Sequence, residues 1–143
     1  MKVTLRKITE QDAAAVASLS GQLGYSTTAS AMTQRIRAVL ASHDHCAYAA
    51  MTAGQLVGWV HGRYTLQLES DAFVEIGGLV VDEQQRVKGI GLLLIEAVKQ
   101  WAREKGVNKI RVRCNTKRTD THTFYRHIGF SETKEQKVFD SSL

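Results

Sequence analysis

The stretch from Val80 to Gly91 has the composition of a phosphate-binding turn. An apolar run ends at Val81, a short polar segment follows, and the pattern R-x-x-G-x-G then opens a strongly amphipathic helix. The first N–H groups of a helix have no carbonyl partner within the helix, and the peptide dipoles add partial positive charge at the same end. Arg86 and Lys88 add full charges. The segment is therefore predicted to bind a pyrophosphate.

Two better known phosphate-binding patterns are excluded by the sequence. The dinucleotide fingerprint needs a third glycine where residue 94 is leucine, and no G-K-[ST] occurs anywhere in the chain. A glycine-rich turn that serves only tight packing is the alternative interpretation of the G-x-G pattern.

Glu75 is a second candidate for chemistry, because it lies inside the apolar run Phe73-Val74-Glu75-Ile76. An ionised carboxylate is costly to bury, so Glu75 is expected to be paired, close to solvent or functional. The alternative to a functional role is a structural ion pair, for example with Arg63 on the preceding strand.

The elements that must position these residues follow from the spacing of apolar side chains. Strands are predicted over residues 3–8, 45–51, 56–64, 72–81, 107–114 and 137–139, and a hairpin at residues 52–55. Helices are predicted over residues 13–23, 31–40, 90–104 and 120–128. This order predicts an α/β (α+β) fold with a mixed, mostly antiparallel sheet, one strand-helix-strand crossover and helices on both faces.

Composition limits the class of protein. The 143 residues suit one domain, 1–143, and no apolar run approaches the roughly 20 residues that cross a bilayer. The N-terminus is typical of a strand and not of a signal peptide. Cys46 and Cys114 are predicted to be reduced thiols of a cytoplasmic protein. A net charge of +5 favours anionic ligands without separating a nucleotide cofactor from nucleic acid.

The chain resembles the GNAT superfamily of acyl-CoA-dependent N-acetyltransferases over essentially its full length. Two motifs carry the resemblance: R-x-x-G-x-G after a strand, and the segment Thr123-Phe124-Tyr125-Arg126-His127-Ile128-Gly129-Phe130, which is similar to the family's F-Y-x-x-x-G-F. Residues 117–125 are also similar to the K-R-x-x-A-H-x-F-Y of aminoalkylphosphonate acetyltransferases. One departure is Arg118, where many members carry asparagine.

The resemblance implies that acetyl-CoA is the acetyl donor. The loop would bind its pyrophosphate, and the strand before it would pair with the pantetheine arm. The implied cofactor-binding residues are Leu79, Val80, Val81, Arg86, Val87, Lys88, Gly89, Ile90, Gly91, Leu92 and Arg118. Leu79 would polarise the thioester carbonyl through its N–H group. Gly77-Gly78 predicts the bulge that splays two parallel strands in this family, with a plain sheet irregularity as the alternative.

The same resemblance implies two catalytic residues. Glu75 precedes Gly89 by fourteen positions, as in histone-type members, and would take the proton of the attacking amine directly or through water. Tyr125 would protonate the departing thiolate. Phe124 and Ile128 are expected to anchor the last helix in the core, which leaves Tyr125 on an adjacent face beside His122. A packed tyrosine is the alternative for Tyr125, and a solvated turn residue is the alternative for Arg118.

The expected partner is an amine-bearing acceptor, either a small molecule or a protein, and the resemblance leaves both a monomer and a homodimer open. No nucleic-acid, membrane or metal partner is expected, since His43-x-His45-Cys46 offers no complete ligand set. The acceptor pocket is expected at residues 24–31 and 67–71, where Glu69 and Asp71 would suit a cationic amine. Three cations alternate on the face of the 107–114 strand, where they are solvated or meet phosphates or an acidic partner: Lys109, Arg111 and Arg113. The alternative function is a non-catalytic acyl-CoA-binding regulatory domain.

Overall fold

The computed structural model describes residues 2–143, and for residues 86–88 it describes the backbone alone. The chain forms two compact units, one ending at Val112 and the other spanning Arg113–Leu143. The first unit contains five strands and three α-helices in the order β1 (Thr4–Lys7), α1 (Ala13–Gly21), α2 (Ala29–Leu40), β2 (His45–Thr52), β3 (Gln55–Gln67), β4 (Ser70–Val81), α3 (Ile90–Glu104) and β5 (Ile110–Val112). The second unit contains α4 (Thr119–His127).

The five strands form one sheet in the order β1-β2-β3-β4-β5. The first four strands are antiparallel to their neighbours, and β4 pairs with β5 in parallel across the crossover through α3. The β2–β3 hairpin turns at Ala53 and Gly54, whose φ angles are 49° and 75°. Two consecutive left-handed residues match the twist of a tight hairpin. The predicted mixed sheet with one parallel pair is confirmed.

Helices cover both faces of the sheet, also as predicted. The α1 and α2 side is closed by a cluster that includes Val16, Ile36 and Ala49, with Trp59 packed against it. The α3 side is so close that a Cβ on Gly62 of β3 would lie 2.9 Å from Val98 of α3. Alternate residues of β3 therefore face different helices.

Two predicted strands differ from the structure. The strand expected at 107–114 is limited to Ile110–Val112, and residues 131–143 contain neither helix nor strand, so the strand predicted at 137–139 is wrong. A strand needs both a pairing partner and an apolar face to bury. Val138 and Phe139 have no such face, since they are 79 % and 87 % exposed.

Candidate active site

The edge of β4 next to β5 is the first part of the site. Parallel pairing with β5 covers only Val74, Glu75 and Ile76. On the other side of β4, Ile76 lies opposite Gly62 and Gly78 lies opposite His61, so Gly77 is an extra residue in the ladder. The bulge predicted at Gly77-Gly78 is confirmed. The bulge comes directly after Ile76, the last residue of β4 that pairs with β5 in the first unit.

Backbone groups after the bulge are divided between the two sides of β4. The Asp82 N–H donates to the Val57 carbonyl on β3 at 2.8 Å. Because successive residues of a strand direct their backbone groups to opposite sides, Val80 also faces β3. Leu79 consequently directs its N–H away from β3, toward the side where β5 has ended.

The two glycines let rings from β3 lie directly over the bulge. A Cβ on Gly77 would be 2.9 Å from His61 Nδ1, and a Cβ on Gly78 would be 2.8 Å from Trp59 Cη2. Real Cβ atoms do not approach neighbours this closely, so a larger residue at either position would displace the ring.

The start of α3 is the second part of the site. A 3-10 helix at Glu83–Lys88 leads into Gly89, which has a left-handed φ of 74° and open space where a Cβ would stand. The Leu93 N–H makes the first bond of the helix, to the Gly89 carbonyl at 3.2 Å. The amides of the preceding turn, Ile90 to Leu92, have no carbonyl four residues earlier in the helix.

The predicted cofactor residues differ in burial. Val80 and Ile90 are core side chains at 3 % and 0 % exposure, so their backbone alone is available to a ligand. Leu92 is 40 % exposed. The side chains predicted to add charge or contacts at Arg86, Val87 and Lys88 lie outside the described residues.

Glu75 lies in a row of polar residues that crosses the sheet. Its side chain is 4 % exposed, and it accepts a hydrogen bond from the Arg63 guanidinium on β3. The alternative considered from the sequence, an ion pair with Arg63, is thus present. Strand register continues the row, since His45 of β2 lies opposite Arg63 and Arg111 of β5 lies beside Glu75.

A histidine pair adjoins this row. His45 Nδ1 and His61 Nε2 are 2.8 Å apart, and the planes of their rings are nearly parallel, at 15° to each other. Burial first, and then the charges of His45 and Arg63, lower the pKa of His61 to about 4. His61 is not among the residues predicted from the sequence, although the alternation of His61 and Arg63 with Val60 and Gly62 is typical of a strand with one polar face.

Tyr125 belongs to the second unit, where it is buried between aromatic rings. Its ring meets Phe124 and Phe130 edge-on at centroid distances of 5.1 and 5.3 Å. Phe124 and Ile128 are only half-buried, so the expectation that they anchor the helix in place of Tyr125 is wrong. The chain turns back after α4, where the Phe130 N–H donates to the Tyr125 carbonyl at 2.9 Å, and the Phe130 ring lies against the phenol.

Burial, followed by the nearby Cys114, raises the pKa of Tyr125, while Arg118 acts in the opposite direction. The phenol is therefore fully protonated at neutral pH and able to donate. The backbone of Arg118 forms the turn before α4, with its N–H bonded to the Asn115 carbonyl at 3.0 Å. His122 also binds this turn, through Nε2 to the Asn115 carbonyl at 2.8 Å.

The described residues contain neither a metal site nor a membrane-spanning helix. Among residues 2–143, no group of three or more histidine, cysteine, aspartate or glutamate side chains is arranged to hold a metal ion. No helix in the same range is long and apolar enough to span a bilayer.

Several known proteins are similar to this chain in sequence. Residues 14–130 match the sequence model of the Acetyltransferase (GNAT) family. The chain is 29 % identical over 145 residues to the aminoglycoside N(6')-acetyltransferase type 1 of Stenotrophomonas maltophilia, covering 98 % of this chain and 94 % of that protein. It is 28 % identical over 105 residues to the N-acetyltransferase family 8 member 3 of Mus musculus, covering 73 % of this chain and 46 % of that protein.

Solved structures share the fold at lower identity. The aminoglycoside 6'-N-acetyltransferase AAC(6')-Ih from Acinetobacter baumannii superposes with a TM-score of 0.88 at 16 % identity, over 99 % of both chains. AAC(6')-Iy, in complex with the bisubstrate analog CoA-S-monomethyl-acetylneamine, gives 0.87 at 20 % identity over the whole of both chains.

Proposed function

This chain belongs to the GNAT family of acetyltransferases, and from that membership we propose that it transfers an acetyl group to a primary amine by direct attack, with Glu75 as base and Tyr125 as acid. The protein is an acetyl-CoA-dependent N-acetyltransferase. One observation carries the proposed roles: β4 holds Glu75 just before the bulge and turns the Leu79 N–H to the side that β5 leaves. The proposed base and the proposed carbonyl-binding amide are thus four residues apart on the same strand.

The residues at the start of α3 fit the pyrophosphate of coenzyme A. Gly89 provides open space beside the backbone, and the amides of the first helical turn point out of the helix end. We propose that the amides of 87–92 bind the pyrophosphate, supported by Arg86, Lys88 and Arg118. Leu79 and Val81 would pair with the pantetheine arm, while Val80 faces β3. When bound, acetyl-CoA supplies an acetyl group activated as a thioester.

The proposed reaction needs one proton acceptor and one proton donor. Glu75 takes the proton that the amine nitrogen loses as the new C–N bond forms, while Arg63 holds its carboxylate in place. Tyr125 donates its phenolic proton to the sulfur as the C–S bond breaks. The Leu79 N–H donates to the carbonyl oxygen on which negative charge develops.

The proposal is tested by following free-thiol release from acetyl-CoA with a panel of primary amines. Tyr125→Phe and Glu75→Gln are each expected to lower kcat by roughly 100-fold or more, since general acid–base catalysis contributes about that much. Acetyl-CoA affinity, measured by calorimetry, should change by less than about threefold. Tyr48→Phe is the control, because this half-buried phenol lies on β2, away from the proposed groups. Unchanged turnover in Tyr125→Phe would remove it as the acid.

Further parts of the proposal concern the setting of the reaction. The family match over residues 14–130 runs through both compact units, which supports one N-acetyltransferase domain over 1–143. The acceptor is a small molecule or a protein amine. Cys46 and Cys114 are free thiols, in keeping with a cytoplasmic enzyme. The edge strand β1 is a candidate surface for homodimer formation, which light scattering of the purified protein would test.

A further inference from the structure

The polar row that contains Glu75 lies on one particular face of the sheet. Trp59 of β3 packs against the α1 and α2 cluster, and Arg63 has the same parity on the same strand. Gly62, of opposite parity, faces Val98 of α3. Glu75 and its neighbours in the row therefore point to the α1 and α2 side, away from the face that α3 covers.

Positive charge is in excess around Glu75 on that face. Glu75 is paired with Arg63. Two residues before Glu75 on the same face, the fully buried ring of Phe73 is covered by two further cations, with Lys109 Nζ at 4.8 Å and Arg111 Cζ at 4.4 Å from its centroid. Within residues 2–143 neither of these two cations makes an ion pair with a carboxylate.

An aromatic ring attracts a cation but does not neutralise it. Two like charges over one ring repel each other, so an anion that binds between them is favoured. The α3 helix, which carries the proposed pyrophosphate site at its start, lies on the opposite face from Lys109 and Arg111. The excess charge is therefore available to the acceptor and not to the pyrophosphate.

An acceptor amine must approach Glu75 from the face on which its side chain lies. Arg111 is the β5 neighbour of Glu75 in the register, and neighbouring strands are about 4.8 Å apart. A molecule that places its amine at Glu75 consequently brings a group two or three bonds away close to Arg111. A second ammonium group there meets like charge, whereas an acidic group meets two unneutralised cations.

We propose that the natural acceptor is an amine that also carries an acidic group about two carbons from its nitrogen, and that Arg111 and Lys109 bind this group. The proposal rests on the proposed function, because it assumes that Glu75 receives the amine. Aminoglycosides are polyamines, so this acceptor differs from the substrates after which the relatives are named. The exposed Glu69 and Asp71, near the β3–β4 turn, would then be solvated and would not bind the acceptor.

The test compares two-carbon amines that differ only in the second group. The acceptors are O-phosphoethanolamine, taurine, 3-aminopropanoate, ethanolamine and ethylenediamine, with neamine added as a polyamine. The acidic members are expected to show kcat/KM at least tenfold above ethanolamine, and ethylenediamine to fall below it. Added salt should reduce the preference, since the two cations are close to solvent.

Variants assign the preference to particular side chains. In Arg111→Gln the kcat/KM ratio of O-phosphoethanolamine to ethanolamine is expected to fall about tenfold, and in Lys109→Gln by less, because Lys109 is more exposed. Arg103→Gln is the charge-matched control on the exposed end of α3, where the ratio should stay as in the wild type. Calorimetry then measures the affinity of each variant for acetyl-CoA.

The outcomes separate this proposal from the proposed function. Acetyl-CoA binding with faster acetylation of ethylenediamine or neamine than of the acidic amines would overturn the acceptor proposal alone. Weaker acetyl-CoA binding in Arg111→Gln with an unchanged acceptor ratio would also overturn it, by assigning the charge to the cofactor. Failure of the wild type to bind acetyl-CoA would refute the proposed function and this inference with it.

If none of the amines is acetylated, the proposal can still be tested, because binding of O-phosphoethanolamine can be followed by NMR in the presence of coenzyme A. Shifts of the Lys109 and Arg111 amides that disappear in Arg111→Gln would support the proposal. An absence of shifts at millimolar concentration would overturn it.

Discussion

Replacing Arg63 with methionine removes a cation that is paired with the buried carboxylate of Glu75. Methionine keeps much of the apolar stem of arginine, so the change acts mainly on charge. Breaking a fully buried ion pair costs about 3–5 kcal/mol, because it leaves one charge uncompensated. Arg63 is 43 % exposed while Glu75 is 4 % exposed, so solvent screens part of the loss. We expect Arg63→Met to lower the free energy of unfolding by about 2 kcal/mol.

A double-mutant cycle attributes this loss to the pair. In Glu75→Gln the carboxylate is absent, and Arg63→Met should then cost only about 0.5 kcal/mol, which gives a coupling of about 1.5 kcal/mol. Urea unfolding of the four proteins measures each free energy. Arg37→Met is the matched control, because the Arg37–Glu10 pair has a similar geometry but side chains that are 67 % and 42 % exposed. Its effect should stay within about 0.5 kcal/mol.

Two results would refute a stabilising ion pair. Arg63→Met could lower the free energy of unfolding equally with and without the Glu75 carboxylate, or it could lower it no more than Arg37→Met does. The same four proteins also separate structure from catalysis. A purely structural Glu75 predicts that the activity of folded Glu75→Gln follows its stability. A base predicts a loss of kcat in protein that remains folded at the assay temperature.

Three further predictions concern the sheet and its core. Because burial, and then the His45 ring, lower the pKa of His61 to about 4, its unfolded form protonates first, near pH 6.5. The free energy of unfolding should therefore fall by about 2 kcal/mol as the pH drops from 6.5 to 4. Two results would contradict this: an NMR titration of folded His61 with its midpoint above pH 6, or an equal loss of stability in acid for His61→Gln. Leu94 is 0 % exposed, so Leu94→Ala should lower the free energy of unfolding in urea by about 2–5 kcal/mol. Leu93 is 43 % exposed, and Leu93→Ala should lower it by less than about 1 kcal/mol. Equal losses would contradict the face of α3 that is buried in the structure. Burial raises the pKa of Cys46 to about 12, so iodoacetamide should alkylate this thiol only on unfolding, and rapid labelling of native protein would count against a buried thiol.

Much of the fold could be predicted because its signals are local. The apolar stripe of α3, the hairpin at Ala53-Gly54 and the bulge at Gly77 each depend on residues that are close in sequence. The strand predicted at 137–139 failed for the complementary reason. Its short β-favouring run has the right residues, but strand formation depends on a partner and a face to bury, which local sequence does not specify.

The candidate site shows the same division. Sequence by itself determined the glycine-rich start of α3, the cations beside it, the family motifs and the carboxylate in an apolar strand, because each is a property of one segment. Only the tertiary structure decided that Arg63, Glu75 and Arg111 form one row and that Phe73 lies under two cations, because these contacts join strands up to about 50 residues apart and depend on strand register. A shift of one residue would send every one of these side chains to the opposite face.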